Sequence, residues 1–273
     1  MKKLLASCMF AVFGVIVLAS CGGSDKDADI RGEARGGPGG PKTGTGQGNP
    51  NAVAYPADKA TGSIAGKVTF SGTPPAPVQI AMSDNVCKEA HPTPLMTEEV
   101  VVDAKGGLKN VFVYIAPVSL SQYRFSGGTE RSIDQKGCAY SPHVSGAMLG
   151  DTVYASNSDK TSHNVHTGPV NNTPINLAQG PGARDKVLSA DSEEMAIKVK
   201  CDVHSWMTSY IHVLPHPKFA VTADDGSFKI EGLVPGKYTL CFWHERYAKD
   251  DPKTIEITVE DGKAADGSYV MKK

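Results

Sequence analysis

The sequence predicts an all-β protein made of two packed β-sandwiches, and three observations support this. The 273 residues include 29 glycines and 18 prolines, a composition that favours turns over long helices. Short runs rich in Val, Ile, Thr and aromatic residues are divided by Gly and Pro turns, as strands are. No stretch keeps an apolar period of 3.6 residues over several turns. A chain of this length usually holds about two domains.

The charge balance argues against nucleic acid as a partner. The chain has 28 Lys and Arg against 29 Asp and Glu, for a net charge of -1. Binding to nucleic acid usually leaves a basic footprint, and attachment to an anionic membrane surface usually needs a polybasic segment. Six cysteines are too few for a disulfide-packed mini-protein, so we expect a conventional apolar core.

Residues 1–20 are predicted to be a secretory signal. A basic start is followed by an apolar run over 4–19, which is short for a membrane span of about 20 residues. The run ends in Leu-Ala-Ser-Cys at 18–21, which resembles the bacterial lipoprotein box. The resemblance implies cleavage before Cys21 and lipid attachment to that residue. Gly22 in place of an aspartate favours the outer over the inner membrane, facing the periplasm or the cell surface. An ordinary signal peptide is the alternative.

Residues 21–61 are predicted to be a lipidated cysteine followed by a flexible linker. This segment is rich in Gly and Pro and has few apolar residues, so it cannot bury enough surface to fold. Forty such residues have an r.m.s. reach of about 35 Å.

Strand candidates begin at residue 62 and continue to 215. The first is 64–70, and the apolar runs 100–102 and 111–115 flank Lys105-Gly106-Gly107 and suggest a hairpin. A further strand opens at 150–154. Two others, 195–200 and 210–214, flank a short loop.

The last unit, 216–273, has a different pattern of strands and turns. Strand candidates at 219–222 and 227–230 flank Asp224-Asp225-Gly226, a hairpin turn signal, and two more follow at 237–243 and 254–259. The run resembles the carboxypeptidase regulatory-like, or transthyretin-like, β-sandwich. The resemblance implies a structural or adhesive role, and the sequence has no His-Glu-x-x-His peptidase motif. A strand from 62–80 could complete this sandwich, which would make the middle unit an insertion.

The loop after 195–200 carries the most informative chemistry. Cys201, His204 and Met207 lie within seven residues, and His163 precedes them by 38 residues. Two imidazoles, one thiolate and a weak thioether are the ligand set of a blue-copper centre. Imidazole binds both oxidation states of copper, and the soft sulfur favours Cu(I). One arrangement of these ligands can therefore hold both Cu(I) and Cu(II).

These residues resemble the cupredoxin family. The resemblance rests on Gly150-Asp151-Thr152-Val153, His163-Asn164-Val165 and the spacing of the 201–207 loop, which is that of the amicyanin branch. It predicts a cupredoxin-like unit over 62–215 with its core at about 100–214, and it implies a Greek-key β-sandwich with one type 1 copper. His163, Cys201 and His204 would be the equatorial ligands and Met207 the axial one.

The same resemblance assigns roles to neighbouring residues. Asn164 would hydrogen-bond towards the cysteine loop and hold it closed. His204 would be the exposed edge through which electrons pass. Trp206 could belong to a docking patch for a redox partner.

The remaining cysteines allow one disulfide. The periplasm permits disulfides, so a Cys87–Cys138 bond is favoured and Cys241 is expected to be a small buried residue. The alternative is a second metal site for zinc or Cu(I), built from the two cysteines and from His91, His143 and His166.

The predicted function is electron transfer without enzymatic activity. A binuclear copper centre needs two loop cysteines, and this loop has one. Lys200 and Asp202 flank Cys201, where multicopper oxidases and copper nitrite reductases have histidine. No Cys-x-x-Cys-His motif for covalent haem occurs. The expected partner is a cytochrome or a dehydrogenase. The alternatives are a copper-binding delivery module and a metal-free structural or adhesion lipoprotein.

Overall fold

A computed structural model describes residues 49–273. The predicted signal, Cys21 and most of the predicted linker lie outside these residues. Within the described range, no helix has the length and apolar character needed to cross a membrane.

The described chain is built from short strands with very little helix, which agrees with the predicted all-β class. Two 3-10 turns (Ala57–Lys59 and Pro117–Leu120) and one α-helix, α1 (Asn85–Glu89), interrupt the strands. The strands are β1 (Val53–Ala54), β2 (Gly62–Ser71), β3 (Phe112–Ile115), β4 (Tyr123–Arg124), β5 (Glu130–Gln135), β6 (Tyr140–Ser141), β7 (Val144–Met148), β8 (Thr152–Asn157), β9 (His163–Gly168), β10 (Asn176–Gln179), β11 (Arg184–Ser189), β12 (Glu194–Lys200), β13 (Thr208–Leu214), β14 (Phe219–Val221), β15 (Ser227–Leu233), β16 (Gly236–Trp243), β17 (Lys253–Val259), β18 (Ala264–Asp266) and β19 (Tyr269–Lys272).

The first sandwich spans residues 130–214. One sheet has the strand order β10-β9-β12-β13-β7, and the other has the order β11-β8-β5-β6. Alternating residues of both sheets form a shared core that includes Val153, Val165 and Ile211. Alternation places one set of side chains between the sheets and the other outside, which is why the strand patterns are visible in the sequence.

The second sandwich combines distant parts of the chain. Its sheets are β14-β3-β16-β17 and β15-β2-β18, with β19 also paired to β2. The register of β2 on β15 places Ile64 opposite Ile230, so a strand from 62–80 lies in this sandwich. The first sandwich is therefore inserted between β3 and β14.

The sequence predicts that 111–115 forms a hairpin with 100–102, inside a cupredoxin-like unit over 62–215. The strand pairing corrects this, because β3 pairs with β14 and β16 of the second sandwich. Residues 100–102 make only one isolated bridge, from Val102 to Leu108. All four residues of β3 are buried, because Val113 and Ile115 face the core of the second sandwich and Phe112 and Tyr114 face the first sandwich.

The predicted linker also extends too far. The chain is folded from Asn49, with Ala52 buried and β1 parallel to β4. The Tyr55 ring stacks on Phe125 at 4.6 Å between centroids, and its hydroxyl donates to the Gly232 carbonyl. These contacts join segments far apart in the chain, so local composition does not reveal them.

The two sandwiches share a buried apolar contact. The His212 ring of β13 lies parallel to Phe112 of β3 at 4.1 Å, and it meets Trp243 of β16 edge to face at 4.4 Å. Gly146 of β7 lies at the same contact, where a Cβ atom would be 2.4 Å from the Phe219 ring. The contact fixes one sandwich against the other.

Candidate metal centre

The four predicted ligands lie at one end of the first sandwich. His163 begins β9, Cys201 follows β12, and Met207 immediately precedes β13. These three strands are neighbours in one sheet, which places their ends together. His163, Cys201, His204 and Met207 are all buried.

The nitrogen and sulfur atoms of three of them converge. His163 Nδ1 lies 2.9 Å from His204 Nδ1, and Cys201 Sγ lies 3.9 Å from His204 Nδ1. Donor atoms of the three residues all lie within 4.8 Å of one another. An ion that bonds nitrogen at about 2.0 Å and sulfur at about 2.3 Å, as zinc does, could reach all three. The group can therefore hold a metal ion.

The outer nitrogens of both histidines face carboxylates. His163 Nε2 is 2.9 Å from Asp159 Oδ2, and His204 Nε2 is 3.5 Å from Asp84 Oδ2. We assign the ring proton to Nε2 in both, which leaves both Nδ1 lone pairs aimed inwards. A cation between these atoms, which lie 2.9 Å apart, would bind both lone pairs, whereas without it the two rings can share a proton in an N–H···N hydrogen bond. The donor set thus fits a bound metal ion.

The protonation preference of His163 is consistent with metal binding. Burial, the largest effect, lowers the pKa of His163, although Asp159 opposes the shift. A lowered pKa keeps the imidazole neutral, which is the form that binds a metal.

The loop that carries Cys201 is held by backbone and side-chain hydrogen bonds. The sulfur accepts N–H groups from Asn164 at 3.3 Å and from His204 at 3.4 Å. Cys201 N–H donates to the Met207 carbonyl, and Met207 N–H donates to the His204 carbonyl. Asn164 Oδ1 accepts the Asp202 N–H at 3.0 Å, which ties the loop to β9. The site is therefore organised by its own chain.

The two carboxylates, Asp159 and Asp84, were not predicted from the sequence. Asp159 also accepts the N–H groups of Gly137 and Cys138, so it links that turn to His163. Its position four residues before His163 was an available signal. Asp84 is far from His204 in the chain and gave no local signal.

Cys87 and Cys138 form a disulfide with a Cα–Cα distance of 5.5 Å. This bond corrects the alternative of a second metal site, since both sulfurs are occupied. The three histidines of that alternative are engaged separately: His91 bonds the Gly137 carbonyl, His143 pairs with Glu245, and His166 pairs with Asp202. Cys241 is a buried free cysteine.

The expectation that His204 forms an exposed edge is wrong. The residue is 2% exposed, and its Nε2 lies 3.7 Å from Cys87 Sγ in addition to Asp84. The chain between β2 and β3 passes over it. The sequence pattern of the loop contains no information about a covering segment that lies far away in the chain.

Trp206 is the half-buried neighbour of the site. Its ring lies 5.1 Å from the His204 ring, and its Nε1–H donates to the Cys138 carbonyl at 3.0 Å. Trp206 and Met207 line an open cavity of about 340 Å³, together with Tyr140 and Tyr210. Through this cavity the protein surface comes close to Met207 in the 201–207 loop.

Comparison with known proteins gives a local structural likeness only. The chain matches no protein-family model and no curated protein. Among solved structures, a purple cupredoxin from Nitrosopumilus maritimus is 25% identical, with 30% of this chain and 98% of that chain aligned and a TM-score of 0.26. The reduced, Cu(I) form of an amicyanin mutant is 20% identical, with 33% and 85% aligned and a TM-score of 0.28.

A Cu-containing nitrite reductase from Thermus scotoductus SA-01 is 20% identical over 31% of this chain, with a TM-score of 0.28. The alignment spans only 22% of that enzyme. Each of these three structures aligns with about a third of this chain. The interpretation of the site depends on its own geometry.

Proposed function

We propose that this chain binds one copper ion and carries single electrons. His163, Cys201 and His204 would hold the ion, and the Met207 thioether would add a weak sulfur ligand. The convergence of two Nδ1 atoms and one Sγ atom, with both Nε2 atoms on carboxylates, is the observation that carries the proposal. Copper supplies the one-electron change between Cu(I) and Cu(II) when it is bound.

The chemistry of the donor set favours copper over harder ions. A thiolate and a thioether are soft ligands, and imidazole suits copper in both oxidation states. The Cys201 sulfur accepts two backbone N–H groups, from Asn164 and His204, which hold it in place. The ligands are buried in a preorganised loop, so they need to move little when an electron arrives. His163, Cys201 and His204 are each at most 2% exposed, and of the proposed ligands only Met207 lines the adjoining open cavity, which supports a carrier rather than an enzyme.

The alternative of copper delivery is less well supported. A delivery site has to pass its ion to a partner, and here each of the three ligands is at most 2% exposed. A metal-free structural role accounts for the two carboxylates, which also bind backbone N–H groups, but it gives no reason for a buried cysteine sulfur beside two histidine Nδ1 atoms.

The setting of the site is proposed from the sequence. The segment 18–21 supports a lipid anchor on Cys21, with the outer membrane favoured, and the net charge of -1 supports the exclusion of nucleic acid. A cytochrome or a dehydrogenase would exchange the electron. With His204 covered, Trp206 remains the candidate contact for that partner.

The test is a Cu(II) titration of the full chain, followed by visible absorption and electron paramagnetic resonance. We expect an intense thiolate-to-copper band at one copper per chain, and its loss in Cys201→Ser. The matched control is Cys241→Ser, which should keep the band. Burial raises the pKa of the Cys241 thiol to about 11, so it stays protonated. A colourless wild type, or a band indifferent to Cys201→Ser, would overturn the proposal.

A further inference from the structure

Residues 82–91, which we call the cap, leave the second sandwich and lie on the first. They belong to the chain between β2 and β3, and they contain α1. The Asp84 side chain begins this helix by accepting N–H groups from Val86 at 2.7 Å and Cys87 at 3.1 Å. This is the capping arrangement that aspartate favours, so the start of α1 is firmly placed.

The cap is fastened to the first sandwich at three points. The main one is the Cys87–Cys138 disulfide, whose cysteines are 0% and 1% exposed. His91 bonds the Gly137 carbonyl, and Met82 packs against the first core. Reagents in solution cannot reach a disulfide buried to this extent without local opening, so the fastening is permanent under ordinary conditions.

The fastening point is also joined to the metal centre. The Cys138 N–H donates to Asp159 at 2.8 Å, and Asp159 contacts His163. On the other side, Cys87 Sγ and Asp84 Oδ2 lie 3.7 and 3.5 Å from His204 Nε2. Both histidines therefore have their outer edges against the disulfide and its supports.

We propose that the cap is a permanent seal on the histidine pair, fastened by the disulfide, and that Asp84 acts through His204 as a positioning residue. Neither a metal ion nor a partner would then pass over His204. The closure itself is a property of the metal-free chain, whereas its effect on copper rests on the proposed function. The two can therefore be tested separately.

The first test measures the accessibility of His204 in the metal-free full chain. Diethylpyrocarbonate modifies exposed imidazoles, and mass spectrometry assigns each modified histidine. In the wild type we expect His204 to react at least tenfold more slowly than the partly exposed His166. In Cys87→Ser/Cys138→Ser, His204 should react at least tenfold faster than in the wild type. Equal His204 rates in the two proteins, within twofold, would overturn the proposal.

Buried His212 reports whether the double variant is folded, because unfolding would expose it as well. If His212 becomes reactive, Asp84→Ala replaces the double variant. This variant keeps the disulfide and removes only the side chain that accepts the first N–H groups of α1. His204 should then react at least threefold faster than in the wild type, because Asp84 no longer lies over Nε2, and an unchanged rate would overturn the role assigned to Asp84. Asp58→Ala is the matched control, because Asp58 is exposed and lies outside the cap. It should leave the rate unchanged.

The second test uses the copper-loaded chain and a Cu(I) chelator. Loss of Cu(I) should be at least tenfold faster in Cys87→Ser/Cys138→Ser than in the wild type. Asp84→Asn keeps a side-chain oxygen that accepts the first N–H groups of α1, because asparagine is as good as aspartate at the N-terminus of a helix. The substitution removes only the negative charge beside His204. The ratio of Cu(II) to Cu(I) affinity should fall in this variant, which a raised reduction potential reports. An unchanged potential would refute the positioning role. If the wild type binds no copper, the first test still decides the closure.

Discussion

Lowering the pH from 7.5 to 4.5 should destabilise the protein through histidines that are buried in their neutral form. His212 is the leading case. It is fully buried at the contact between the sandwiches, and its Nδ1 accepts the Ala196 N–H at 3.2 Å. Nε2 therefore carries the proton, and no hydrogen-bond partner faces it. Burial lowers the pKa of His212 from 6.5 to about 3.

The size of the effect follows from proton linkage. Below pH 6.5 the unfolded chain binds a proton at this residue, whereas the folded chain does not until the pH nears 3. Stability is therefore present above pH 6.5 and is lost as the pH falls towards 3. At pH 4.5 the loss is two pH units at 1.36 kcal/mol each, or about 2.7 kcal/mol.

Two further histidines contribute with the same sign. Burial lowers the pKa of His216 and of His244 to about 4, which removes roughly 2.5 kcal/mol each at pH 4.5. His143 acts in the opposite sense, because Glu245 raises its pKa against the effect of burial. A domain is usually stable by about 5–15 kcal/mol, so the three losses together would remove much of the total.

The assay is urea unfolding of the wild type and His212→Phe at pH 7.5 and 4.5. The variant keeps a ring against Phe112 but leaves the Ala196 N–H without its acceptor, at about 1–3 kcal/mol at either pH. The free energy of unfolding of the variant minus that of the wild type is determined at each pH, and the two differences are compared. The difference should shift by about 2.7 kcal/mol in favour of the variant at pH 4.5. A shift below about 1 kcal/mol would refute the reasoning.

Three other changes give separate tests. Asp159→Asn should raise the reduction potential of the copper-loaded protein, because the charge beside His163 favours Cu(II). A tenfold change in relative affinity is 59 mV, and voltammetry that shows no rise would contradict this. Met207→Ala should still bind copper, but azide should now reach the ion from the adjoining cavity and change its electron paramagnetic resonance spectrum. A spectrum that azide leaves unchanged would contradict this prediction. Gly146→Ala should lower the free energy of unfolding in urea by about 1–3 kcal/mol, since its Cβ would meet Phe219. A variant as stable as the wild type would show that the Phe219 ring can move aside.

Much of the metal centre could be predicted because its information is local. Cys201, His204 and Met207 share one loop, and the spacing of ligand types within a loop is visible in the sequence. His163 needs only that two strands be neighbours in one sheet. The carboxylates were harder to predict, because an aspartate near a histidine in sequence is common and its orientation depends on the fold. Asp84 could not be found at all without knowing where its segment crosses the first sandwich.

The assignment of strands to sandwiches shows the same division. Alternation and turn residues located most strands, but they did not show that β3 belongs with β16 rather than with 100–102. The pairing of β3 depends on the strands that lie beside it and on the layers that cover its two faces, and its partners β14 and β16 are more than a hundred residues away. Local composition likewise predicted a linker to residue 61, whereas Tyr55 is ordered by Phe125 and Gly232.

The sequence by itself determined the all-β class, the turns, the ligand types and their spacing, because each of these depends on residues close together in the chain. Only the tertiary structure decided that His204 is covered, that a disulfide fastens the covering segment, and that both outer imidazole nitrogens meet carboxylates. Those features are contacts between distant segments. Their free energy depends on burial and distance in the folded chain, which no short stretch of sequence encodes.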